Sequence, residues 1–96
     1  MKEIITEKGI IKYRMPNILE AYDLLEKSGV TQGESSSIKL KRNIIEHMES
    51  LIDYSEIEDC KSYGDLLLNV DQMLLPLGEI ADELITKTFA VFKKKN

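Results

Sequence analysis

With 96 residues, 43% of them apolar, the chain has room for one small domain, expected to span residues 1–96. The charged fraction of 31% belongs to a soluble globular protein and excludes a disordered composition, while a net charge of −4 argues against a dedicated nucleic-acid binder. No apolar run reaches the ~18 residues of a membrane span, residues 1–6 show neither a long apolar core nor a small-residue cleavage site, so export is not expected, and the unpaired Cys60 excludes an internal disulfide and fits a reducing cytoplasm.

In chain order, Ile4-Ile5-Thr6 and Ile10-Ile11-Lys12-Tyr13-Arg14 are rich in β-branched and aromatic residues. Glu7-Lys8-Gly9 separates them, with a glycine free to take positive φ, so a hairpin is predicted over about 3–15. Pro16 ends the second strand, and Asn17 with Glu20 three residues on has the spacing of a reciprocal helix cap. A helix is therefore predicted over about 18–27, with Ile18, Ala21, Leu24 and Leu25 inward. Gly29 stops it, and Val30 packs back. Residues 31–37 form a polar loop whose serines supply the next cap.

A second helix is predicted over about 38–53, its apolar arc formed by Leu40, Leu51, Ile44, Met48, Ile52, Ile45 and Ile38. Its charges oppose the helix dipole, with Lys39, Lys41 and Arg42 early and Glu46, Glu49 and Asp53 late. Either the opposition is small, screened and offset by Arg42–Glu46 pairing, or the two ends pair between molecules in a head-to-tail ring. Residues 54–62 lack a clean period and fit a short strand around Ile57 or an irregular loop. A third helix opens at Ser62 or Tyr63 and runs to Leu75, where Pro76 breaks it and begins a fourth helix, the helical part ending near residue 93. The expected class is thus α+β, mostly α, with a small N-terminal hairpin and about four helices.

Two faces draw attention. In the third helix Leu66, Val70 and Met73 face one way, while Leu68 and Leu75 project nearly opposite. That arc is wider than one core needs. The helix is either sandwiched, broken at Asn69, or exposes Leu68 and Leu75 to a partner. At about 100° per residue, the stretch 77–92 gathers Leu77, Ile80, Ala81, Leu84, Ile85, Phe89 and Phe92 on one side.

Chemistry is harder to find. His47, the only histidine, sits at the border of an apolar arc without an orienting acid. Nothing beside Cys60 resembles an activating turn, and no His/Cys cluster suits a metal. The acids between 46 and 59 lack the alternating pattern and central glycine of a calcium loop, and the glycines are scattered singly. No catalytic residue, cofactor or metal ligand is expected. The connection between the first two helices is too long for a helix-turn-helix. Lys93, Lys94 and Lys95 read as a solubilising end, favourable after a helix.

The run from Gly9 to Leu25 (Gly-Ile-Ile-Lys-Tyr-Arg-Met-Pro-Asn-Ile-Leu-Glu-Ala-Tyr-Asp-Leu-Leu) resembles the opening of the small tail assembly chaperones of long-tailed bacteriophages and prophages. There a short strand ending in a hydrophobic residue and proline leads into a helix near a Glu-Ala pair. The resemblance covers about a fifth of the chain. It implies a non-enzymatic protein of the host cytoplasm, absent from the mature virion. Such a protein binds the tape measure protein, keeps it soluble and helps tail tube protein polymerise around it. For an amphipathic helical client, Met48, Met73, Leu68, Phe89 and Phe92 would line an adaptable groove. Self-association into a homo-oligomer would use Leu68, Leu75 and the face containing Leu84. The alternative is a small acidic regulatory or antitoxin-like protein that masks a basic protein partner with the acids between 46 and 59.

Overall fold

The computed structural model describes residues 1–28 and 37–89. The expected stop at Gly29 and Val30, the polar loop, Phe92 and the lysine end lie outside them. The backbone is an α+β arrangement in which a three-stranded antiparallel sheet packs beside four helices. Strands β1 (Lys2–Thr6) and β2 (Gly9–Tyr13) form the predicted hairpin, with Thr6 opposite Gly9 across a two-residue turn. Thr6 Oγ1 closes the turn, donating to the Gly9 carbonyl at 2.8 Å and accepting from Lys8 N–H at 3.1 Å.

Gly9 has φ +135°, and a Cβ there would lie 1.9 Å from the Glu56 carbonyl oxygen. Only glycine lets the third strand approach so closely. Met15-Pro16 leads into α1 (Ile18–Ser28), entered through the anticipated cap. Glu20 N–H donates to Asn17 Oδ1 at 2.9 Å, and Asn17 N–H donates to Glu20 Oε1 at 3.0 Å. Both Glu20 oxygens also accept from Arg14 at 2.7 Å. These donors hold the Glu20 carboxyl at a pKa of about 2, with Arg14 the larger cause. Ala21, Leu24 and Leu25 are buried, but Ile18 is exposed at the first turn, contrary to its expected inward place.

The second helix is shorter than its apolar spacing predicts. Helix α2 (Ser37–His47) stops at His47, a 3-10 turn spans Glu49–Leu51, and β3 (Ile52–Ile57) follows. Leu51 and Ile52 are buried as expected, but from a turn and a strand. The reason is tertiary: β2 has an open second edge, and β3 pairs with it antiparallel from Gly9–Ile57 to Tyr13–Ile52. A bulge places two β3 residues, Tyr54 and Ser55, opposite the single Ile11, and Asp53 Oδ1 accepts there from Ser55 N–H and Oγ. Glu49 and Asp53 therefore lie beyond the helix. The apparent dipole reversal shrinks to Glu46, which pairs with Arg42 at 3.3 Å.

Helix α3 (Tyr63–Leu68) is capped by Ser62, whose Oγ accepts from Asp65 N–H at 3.2 Å. Asn69 (φ −89°, ψ 70°) interrupts it, the break that was one of the three expected possibilities. Helix α4 (Val70–Leu84) then runs straight through Pro76, which was expected to end one helix and begin another. Pro76 lacks the N–H that would reach the Gln72 carbonyl, a cost of about 3 kcal/mol. Burying Met73, Leu77, Ile80 and Leu84 on one stripe is worth about 1.5–3 kcal/mol each and outweighs it. Past Leu84 the chain continues as a wider turn over Ile85–Phe89.

One core joins sheet and helices. Ile11, Ile44, Met48, Leu66, Ile80 and Leu84 are its most deeply buried side chains. Two tyrosines tie its edges. Tyr63 O–H donates to the Ile45 carbonyl at 2.5 Å, and burial pushes its phenol above the ordinary tyrosine range. Tyr13 O–H donates to Glu83 Oε1 at 2.7 Å, while Lys2 and Lys87 pair with the same carboxylate.

Candidate functional site

Helix α4 is apolar on two sides. The inward stripe is spent on the core, and the outward side carries Val70, Leu74 and Leu75, the last two 65% and 76% exposed. Helix α2 adds Ile38, 80% exposed, and half-buried Ile45. Between the two helices lies a groove of about 390 Å³ lined by Ile38, Ile45, Leu74 and Leu75, with Gly78 beside them. A Cβ on Gly78 would meet the Lys41 stem at 3.3 Å, so the missing side chain lets that stem lie across α4.

Two further hollows continue this groove. One shares Ile45 and Leu74 with it and extends to Leu67 and Val70. The other shares Leu75 and Glu79 and reaches Ile5 of β1, which is 82% exposed. The result is an aliphatic band from the sheet edge across α4 to the end of α3, interrupted on the Ile5 side by Glu79, Asp71 and Gln72. Its flanks are charged with opposite sign. On the α2 side stand Lys41 and Arg42, and on the α4 side Glu79 and Asp82. Lys41 and Asp82 bridge across at 3.1 Å, and Arg42 engages Glu46 through Nε. Glu79 makes no ion pair among the described residues.

Of the residues expected to bind a partner, Leu75 lies in the middle of this band. Leu68 is 81% exposed at the end of α3 but lines none of the three hollows. Met48 and Leu84 are buried in the core and line none of the three hollows, which corrects that expectation, while Met73, also buried, reaches only the floor of the hollow at Leu67 and Val70. They fell on faces with the right period, but period does not say whether a face meets its own domain or another. The same correction applies to the described part of the 77–92 face, where Leu77, Ile80, Ala81 and Leu84 all pack inward. The side chain of Phe89, like all of Phe92, lies outside the described residues. Residues that the sequence reading missed are Ile5, Ile38, Val70 and Leu74, two of them assigned inward. The available signal was the leucine pairs at 67–68 and 74–75, too apolar for one core stripe. A second exposed apolar patch, Ile18, Leu19 and Tyr22, sits on α1.

The titratable groups singled out in the sequence are held as follows. The Cys60 thiol donates to the Ser62 carbonyl at 3.3 Å, and burial pushes its pKa up, the opposite of an activated nucleophile. Exposed His47 has Nδ1 2.9 Å from the Asn43 carbonyl of its own helix. Among the described residues no three His, Cys, Asp or Glu side chains gather as a metal would require, and no helix is long and apolar enough to cross a membrane. The acids between 46 and 59 are divided among α2, the 3-10 turn, β3 and the turn at Glu58 and Asp59 that follows it. Glu46 pairs with Arg42, Glu56 with Lys12 at 2.5 Å, and Asp53 is held below its usual pKa by Ser55. No protein-family model matches the chain, and comparison with curated proteins and with solved structures finds no match.

Proposed function

We propose that this protein is a non-enzymatic tail assembly chaperone of a phage or prophage. In this reading it binds the tape measure protein and tail tube subunits in the host cytoplasm, self-associates, and leaves before the virion matures. The observation that carries the proposal is the aliphatic band over α2 and α4. A tape measure protein is long, helical and apolar on one face, and an amphipathic helix lays such a face into a groove of this kind. The resemblance of residues 9–25 to the opening of these chaperones supports the same reading, and Gly9, Asn17 and Glu20 each have a structural task there.

Co-expression with a tape measure protein tests it. The wild-type chain should raise the soluble fraction of that client. Leu75→Asp should remove the effect, whereas Leu68→Asp, outside the hollows, should reduce it less. Equal client solubility with wild type and Leu75→Asp would refute the band as the client site.

A further inference from the structure

We infer that, in the free protein, the α2–α4 band is covered by a second copy of the chain in a twofold-symmetric dimer. The inference rests on reading the band as a docking face, independently of the client's identity.

Three observations support this occupant. The first is area. The exposed parts of Ile5, Ile38, Leu67, Val70, Leu74 and Leu75 amount to about four whole aliphatic side chains, or roughly 500 Å² at ~120 Å² each. That is near the upper end of the ~300–600 Å² patch a monomer leaves open. It also matches a standard interface of ~800 Å² per partner in which about 65% is apolar, as in homodimers.

The second is charge. A twofold axis lying in the plane of the interface and parallel to the groove stacks the two faces and exchanges their flanks. The basic α2 flank of one copy then lies over the acidic α4 flank of the other. Arg42 of one copy faces Glu79 of the next, twice per dimer, and Glu79 has no other ion pair among the described residues. A patch carrying one sign on each side of an apolar floor is self-complementary under that operation.

The third is shape. The same patch holds a projecting side chain, Leu75, and the open groove between α2 and α4 to receive its counterpart. An isologous contact requires both features on one surface.

Sedimentation equilibrium on the purified full chain, without client, tests the inference. The wild type should behave as a monomer–dimer system. Leu75→Asp should weaken the dimer by at least about 100-fold, since it buries an unpaired charge twice. Arg42→Glu should weaken it about tenfold, two exposed ion pairs being lost and turned repulsive, and Arg42→Glu combined with Glu79→Arg should restore it. Thermal melts identify any variant that fails to fold, and the charge-swap rescue does not depend on Leu75→Asp. A wild-type monomer at all concentrations, a ring or trimer, or an absent rescue each overturns the dimer. Those outcomes leave the client proposal to its own solubility assay. Conversely, a monomeric Leu75→Asp variant that still solubilises the client overturns the client site and leaves the dimer standing.

Discussion

The two sides of α4 are almost equally apolar and do different work. Met73, Leu77, Ile80 and Leu84 are enclosed by the sheet and the other helices, while Val70, Leu74 and Leu75 stand in solvent on the same fifteen-residue helix. The inner stripe determines whether the chain folds, and the outer one whether it has anything to hold. The comparison teaches that hydrophobicity along a helix measures a tendency to be covered. It does not distinguish cover by the same chain from cover by another.

The contrast can be broken most forcefully from the inside. Ile80→Ala should lower unfolding free energy by about 2–5 kcal/mol, because Ile80 is buried and its cavity is bounded on all sides. Urea unfolding followed by circular dichroism measures this, and a loss below 1 kcal/mol would mean the inner stripe is not a close-packed core. Pro76→Ala sharpens the comparison from between the two sides. It restores the donor for the Gln72 carbonyl and should raise stability by about 1–3 kcal/mol, unless the proline ring itself fills space against β1.

The entry to α1 provides an intermediate case. Asn17→Ala should cost about 1 kcal/mol by removing the cap to Glu20. Because Glu20 is held at about 2, its ionised form stabilises the fold fully above the ordinary value of 4.5. That contribution should fade as pH falls from 4.5 through about 2. Thermal melts across this window should show a shallower decline for Glu20→Gln than for the wild type. The smallest effect on stability belongs to the outer side. Leu75→Ser should change unfolding free energy by no more than about 0.5 kcal/mol, yet it should lower client solubilisation and self-association.

The local chemistry was legible wherever neighbours in sequence were also neighbours in space. The Thr6–Gly9 turn and the Asn17–Glu20 box depend on residues three apart, and both formed as their side chains require. The band was only partly legible. Leu75 could be read as surplus to one core, but Ile38 looked inward because its helix was assumed to keep one face throughout. Met48 and Met73 suited an adaptable groove by residue type, yet their positions lie at the centre of the packing.

What the sequence alone determined is the hairpin, the capped first helix, the α+β class and the surplus of aliphatic side chains, since each follows from local geometry or composition. The tertiary structure decided that residues 52–57 would be a strand, that α4 would continue through Pro76, and which apolar face would remain outside. Those outcomes turn on long-range contacts. The free edge of β2 recruits β3, and burial of the α4 inner stripe outweighs one missing hydrogen bond.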